Sequence, residues 1–300
     1  MDKLRAMATF VRIVESGSFS AAAAALGESL SSVVRSLAAL EAALGVRLLN
    51  RTTRRIALTD EGRDYFARCQ RVLAEVEDAE AMLSARRQTP SGRLALTAPV
   101  RFGNLHVVPM LTAFLLDHAE MRAELLLVDR VVDMLEEGLD LAFRIGHLPD
   151  SSLVAVKLGE TRRVVCAGAA YLTAHGRPRE PQDLAAHRCL RFTGLGSGTD
   201  WEFAANGKTF TVGVSGSYTT NHVDAALAAC SAGLGCGRFL GYQVADALAS
   251  GQVVRLLQEF EPPPLPIQLL YPHTRLLSPR VRAFVDWVVP RLRERLRDLV

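Results

Sequence analysis

The stretch Ser29–Glu41, SLSSVVRSLAALE, carries two patterns at once. Leu30, Val33, Leu37 and Leu40, followed by Leu44, recur at steps of three and four, the apolar stripe of a helix packed on a core. Opposite the stripe stand Ser31, Ser32, Arg35 and Ser36, small hydroxyls and one guanidinium near the amino end of the same helix. A helix amino end attracts phosphate, hydroxyls bond backbone oxygens or base edges, and Arg reads guanine with two bonds, so this face suits a DNA major groove. A solvated surface helix would explain any one of these residues taken singly, and the neighbouring sequence decides between the two readings.

Upstream, Leu4, Met7, Phe10, Val11 and Val14 mark a first helix that ends at Gly17. Ser18 or Ser20 caps a second helix running through the alanines to Leu26, Gly27 closes it, and Ser29 is the predicted N-cap of the third. Two short helices across a tight turn form a helix-turn-helix. Ser20 and Ser29, at the starts of these helices, join Ser31, Ser32 and Arg35 as candidate DNA contacts. Downstream, Val46, Leu48, Ile56 and Leu58 anchor two short strands around the tip NRTTRR, which reads as a wing. Arg51, Arg54 and Arg55 there are suited to phosphate or minor-groove contact. Between Leu30 and Leu58, Arg35, Arg47, Arg51, Arg54 and Arg55 face Glu41 alone, a basic focus in a chain whose net charge is only +3.

From Asp60 the pattern is helical again, and Tyr65, Cys69, Val72, Val76, Ala79 and Leu83 form a heptad seam suited to pairing with a second copy. The segment RRQTPSG, Arg86 to Gly92, has the polar Pro/Gly character of a linker. Beyond it, apolar strands alternate with helices: RLALTAP, a helix around Val107–Leu116, ELLLVD, a helix around Val132–Glu137, then LDLAFRIG. A second series runs from about Arg162 to Pro262, and PIQLLYP with the helix from Pro279 returns to the first lobe. Alternation predicts largely parallel sheets in two α/β lobes joined by two crossing strands, with a cleft between them.

Ligands of such sheets bind beyond the carboxyl ends of the strands. Pro99, Val100, Arg101 and Phe102 follow the first strand, Arg144 ends another, and Thr219, Thr220 and Asn221 open a helix of the second lobe. Their donors favour a small organic acid, with Phe102 and Phe192 as candidate contacts for an aromatic one.

Catalysis has no visible carrier. NGKT at Asn206–Thr209 has Glu202 where a phosphate loop needs its first Gly, and Asn-Gly between strand patterns is a hairpin turn. GLGSG at Gly194–Gly198 lacks the third spaced Gly of a dinucleotide loop. No GxSxG is present, and the seven histidines are dispersed without ligand spacing, so no metal or cofactor is expected. Five cysteines, odd in number and without CxxC spacing, read as buried thiols. Cys230 and Cys236, six apart, keep open the alternative of a redox-responsive regulator. Another alternative is a cytoplasmic small-molecule binding protein without DNA function. The charged amino-terminal helix is no signal peptide and no apolar run is long enough to span a membrane, so no membrane partner is expected and the chain is placed in the cytoplasm.

The segment FVRIVESGSFSAAAAALGESLSSVVRSLAALEAALGVRLLNRTTRRIALTDEG resembles, in order and without a gap, the amino-terminal domain of LysR-type transcriptional regulators. The remaining layout is similar too, down to AACSAGLGCGRFLGYQVADALASGQVVRLL near the end. Where the family carries a small hydroxyl before the recognition-helix Arg, this chain has Val34, which cannot donate to phosphate, and Ser31 or Ser32 takes more of the load. The resemblance implies an α+β multidomain protein: a winged helix-turn-helix over 1–59, a dimerisation helix over 60–87, and over 88–300 a two-lobed α/β domain like periplasmic binding proteins. Lobe I then covers about 92–161 and 267–300, and lobe II about 162–266. The implied partners are double-stranded promoter DNA, a small-molecule effector and a second copy, with a homotetramer as the larger assembly and RNA polymerase as a further candidate.

Overall fold

The computed structural model describes residues 2–52, 55–83, 90–147, 153–195, 199–272 and 278–297. They form two compact units, one of Met1–Arg93 with Asp133–Gly138 and Leu277–Arg280, the other of the remainder.

In the first unit, α1 (Lys3–Ser16), α2 (Phe19–Leu26) and α3 (Leu30–Leu44) are set by local chemistry. Asp2, Ser18 and Ser29 each accept a backbone N–H at a helix start, and Gly17, Gly27 and Gly45 end the helices in the left-handed conformation that glycine adopts without penalty. Ser18, not Ser20, is therefore the cap of α2. Val33, Leu37 and Leu40 are buried with Phe10 and Ile13, whereas Leu30 is exposed at the start of its stripe. The strands β1 (Leu49–Thr52) and β2 (Arg55–Leu58) pair antiparallel as the wing. The Glu41 carboxylate fixes the wing's entry by accepting the N–H groups of Leu48 at 2.8 Å and Leu49 at 3.2 Å. The long helix α4 (Asp60–Leu83) starts so close to the wing that a Cβ at Gly62 would lie 1.9 Å from the Leu48 carbonyl oxygen.

The segment Asp133–Gly138 also belongs to this unit, and the helix expected around Val132–Glu137 is not formed. The Asp133 carboxylate accepts from the N–H groups of Leu135 and Glu136, making one tight turn that Gly138 closes at positive φ before a second can form.

The strand β3 (Gly92–Ala98) leads from the first unit into the second, which holds its last five residues, all buried. Then α5 (Val100–Phe102) runs through a π-helical turn, Gly103–Val107, into α6 (Val108–Asp117). Next come β4 (Met121–Leu127), β5 (Leu141–Ile145) and β6 (Leu153–Thr161). The second lobe contains β7 (Arg163–Ala167), α7 (Ala169–His175), β8 (Cys189–Phe192), the hairpin β9 (Asp200–Ala205) and β10 (Lys208–Gly213), β11 (Thr219–Thr220), α8 (Val223–Ser231), β12 (Cys236–Leu240), α9 (Gly241–Ala249) and β13 (Val254–Leu256). Finally β14 (Leu265–Pro272) and α10 (Pro279–Arg295) complete the first lobe.

Two five-stranded sheets result, ordered β4-β3-β5-β14-β6 and β11-β8-β12-β7-β13. They are mixed, not largely parallel. β14 runs antiparallel to both β5 and β6, and β7 antiparallel to both β12 and β13, because chain returning between lobes must enter each sheet against its neighbours. The Asn206-Gly207 turn joins β9 to β10 with both residues at positive φ, as a two-residue hairpin demands. In the second lobe, alternation sends Val164 and Cys166 of β7 into one apolar cluster with α8 and α9, and Val165 and Ala167 into another with Trp201 and Phe203 of the hairpin.

Candidate functional site

Two surfaces carry the chemistry. On the first unit, Ser20, Ser29, Ser31 and Arg35 are exposed, and Ser32 and Val34 are half-buried. The Ser29 hydroxyl accepts the Ser32 N–H at 3.2 Å and lies 3.1 Å from the Ser31 hydroxyl. Arg35 folds back to donate from Nε to the Ser31 carbonyl at 3.2 Å, leaving the outer edge of its guanidinium to solvent. The Ser32 hydroxyl donates its hydrogen bond to the Glu28 carboxylate at 2.8 Å and so can only accept from DNA, a loss invisible in the pattern that grouped it with Ser31. Arg51 stands on β1 and Arg55 on β2, but the side chains of both, and Arg54 entirely, lie outside the described residues.

The heptad seam divides. Cys69 is fully buried in the core of the first unit and so is not available to a second chain, while half-buried Tyr65 packs beside it with its ring 6.0 Å from Phe10. The expectation for Cys69 is corrected: an apolar stripe fills whichever surface folds against it first, and here that is the chain's own helical domain. Val72 and Ala79 remain exposed and Val76 half-buried, while the Leu83 side chain lies outside the described residues.

In the second unit the structure gathers most of the expected cleft residues. Pro99 precedes α5, and the Val100 N–H donates to the Asp129 carboxylate at 3.1 Å. Burial pushes the Asp129 carboxyl up and the Arg144 guanidinium down from their usual ranges, while their opposite charges offset part of that cost. Arg144 donates to the Phe143 carbonyl at 2.9 Å and to Thr97 Oγ1 at 3.4 Å. Arg101 pairs across the lobes with Asp224 in the first turn of α8, and His222 Nδ1 lies 3.8 Å from the same carboxylate. The His222 N–H donates to Thr220 Oγ1 at 3.1 Å, with Thr219 and Asn221 exposed alongside.

Phe102 and Phe192 turn inward, into the cores of their lobes. Phe102 is fully buried against Phe143, His106 and Tyr242, and Phe192 is packed in the second lobe's core, because aromatic rings beside a strand end bury more surface inward than a cleft offers. Sequence reasoning missed Asp129, Asp224, His106 and Tyr242. Asp129 follows β4 just as Arg144 ends β5, so the rule that found one residue points equally at the other.

The cysteines Cys69, Cys166, Cys189, Cys230 and Cys236 are all buried free thiols. Cys230 lies in one core cluster of the second lobe and Cys236 in the other, on opposite faces of one sheet. Burial pushes the Cys230 thiol up to about 12 and that of Cys236 further, which suppresses the reactive thiolate. Among the described residues no group of three or more metal-ligating side chains converges and no helix is long and apolar enough to cross a membrane.

Residues 4–63 match the model of the bacterial regulatory helix-turn-helix proteins of the lysR family, and residues 87–293 match the LysR substrate binding domain. The chain belongs to the LysR family of transcriptional regulators. As a LysR-type regulator it couples a DNA-binding domain to an effector-binding domain and is not an enzyme, which sets aside a binding protein without DNA function. It is 36% identical over 294 residues to the HTH-type transcriptional repressor PA14_22550 of Pseudomonas aeruginosa, covering 96% of this chain and 92% of that one. Among solved LysR-type structures it resembles CrgA of Neisseria meningitidis, at TM-score 0.61 and 33% identity over 96% of this chain and 98% of that one. The virulence activator AphB of Vibrio cholerae superposes at TM-score 0.62 and 28% identity, covering 96% and 99%.

Proposed function

We propose that the chain is a cytoplasmic, sequence-specific regulator whose α3 enters the major groove of promoter DNA with Ser31 and Arg35 toward base edges, flanked by Ser20, Ser29 and the wing arginines Arg51, Arg54 and Arg55. It acts as a dimer through the outward part of the α4 seam, Val72, Val76, Ala79 and Leu83, with a tetramer as the larger assembly and RNA polymerase as a candidate contact at the promoter.

The effector is a small organic acid held between the lobes. The observation that carries this reading is the Arg101–Asp224 pair, which ties α5 of one lobe to α8 of the other beside Arg144, Thr220 and the Val100 N–H. A carboxylate ligand competes with Asp224 for Arg101, so its entry rewrites the contact between lobes, and the free energy of that exchange is what reaches the DNA. The test is a thermal-shift panel of carboxylic acids on the full chain. A ligand at about a hundred times its dissociation constant adds about 2.7 kcal/mol of stability. Arg144→Ala and Thr220→Val should remove the shift and the effector-dependent change in transcription while sparing effector-free DNA binding. Normal responses in both variants would place the effector elsewhere.

A further inference from the structure

Arg5 on α1 and Glu28 in the turn before α3 are 23 residues apart and meet at the amino end of α3. Arg5 donates to Glu28 Oε1 from Nε at 3.1 Å and from Nη2 at 2.6 Å. The other carboxylate oxygen, Oε2, takes the Ser32 hydroxyl at 2.8 Å. The two partners are unequally covered: the Glu28 side chain is 16% exposed and that of Arg5 67%. The carboxylate is thus wrapped and neutralised, while the guanidinium it holds faces water with all of Nη1 and the second N–H of Nη2 still to give.

An exposed ion pair of this kind contributes little to stability, and an acid before a helix start needs no arginine, since the helix dipole already favours it. What the pair does achieve is to fix an arginine, which otherwise loses considerable rotamer freedom on binding, beside the residues that face DNA. We infer that Arg5 is a further DNA-contacting residue, a phosphate clamp at the amino end of the recognition helix, and that Glu28 is its positioning residue. The inference rests on α3 being the recognition helix. It gives Glu28 a further consequence: by accepting the Ser32 hydrogen bond it shifts the donor role at this helix end from that hydroxyl to Arg5.

The test compares the full wild-type chain with Arg5→Ala/Glu28→Ala, which removes one charge of each sign and leaves no bare carboxylate to repel DNA. The probe is the duplex that the wild-type chain recovers from a random-sequence pool. The slope of log affinity against log salt should fall by about 1.8 in the double variant, about 0.9 for each half-site of the dimer, so that raising salt from 50 to 200 mM weakens it about 12-fold less than wild type. Discrimination against single base changes should stay as in wild type, and one phosphate per half-site should drop out of ethylation interference. A wild-type slope and wild-type affinity in the double variant would mean that Arg5 only neutralises Glu28, and would overturn the clamp. Recovery of no duplex by the wild-type chain would instead overturn the recognition-helix reading, and the clamp with it. Should the alanine pair unfold the domain, Arg5→Gln/Glu28→Gln keeps side-chain length and charge balance and gives the same comparison.

Discussion

His106, on the π-helical turn after α5, is 7% exposed and receives a hydrogen bond at 3.3 Å from Arg295 Nε to its Nδ1. A guanidinium only donates, so Nδ1 must accept and the ring is neutral with its proton on Nε2, which has no partner among the described residues. Burial, then the Arg295 charge, push its pKa from 6.5 down to about 4. The folded state therefore refuses a proton that the unfolded chain binds between those values. Stability rises with pH across that window and is lost as pH falls from about 6.5 toward 4, by about 3 kcal/mol for this group at full shift. His106→Gln should flatten this loss, read as the difference in urea midpoints at pH 7.5 and pH 4.5 between variant and wild type. Equal pH sensitivity in both would contradict the assignment. None of this is legible in the sequence, where His106 is one of seven scattered histidines. The Ser29 cap and the glycine ends were legible, because each acts on neighbours within a turn. Glu28 was not, because its partner is on another helix.

At the scale of the element, α4 serves two partners with one stripe. Its first three turns close the core of the helix-turn-helix, with Cys69 fully buried and Phe66 edge-on to Phe10 at 6.2 Å, and only the later turns offer Val72, Val76 and Ala79 outward. The two parts should fail differently. Val76→Asp should leave the far-UV spectrum and melting of the chain near wild type but weaken self-association by about 2 kcal/mol or more, roughly thirtyfold, in sedimentation velocity. Cys69→Asp should instead unfold the first unit. A Val76→Asp chain that sediments as wild type would mean that the seam is not the interface. The sequence showed a helix with an apolar stripe of this period. It did not show which surface the stripe meets, since a heptad stripe and a core stripe differ by a fraction of a residue per turn. Sheet direction was hidden for a related reason. The hairpin at Asn206-Gly207 is written into two adjacent residues, whereas the antiparallel entry of β14 depends on strands more than a hundred positions away.

At the scale of the molecule, lobe II is one uninterrupted length of chain and lobe I is not. Both apolar clusters of lobe II lie within Val164–Phe260, while the sheet of lobe I waits for β14 to slot between β5 and β6. A fragment from Arg162 to Pro264 should therefore fold cooperatively by itself in a thermal melt, whereas a chain stopped at Pro264 should collect in the insoluble fraction. A soluble, cooperatively melting truncation would contradict this. For a growing chain the interval is a matter of time. From Thr161, where β6 ends, to Leu265, where β14 begins, is 104 residues, 265 less 161, or roughly 5–20 s on the ribosome. Until β14 is made, β5 and β6 lack the strand that lies between them in the finished sheet, and an unpaired strand edge is a template for other strands. The order of synthesis thus leaves the lobe that is begun first to be finished last, with an interior strand the last to arrive.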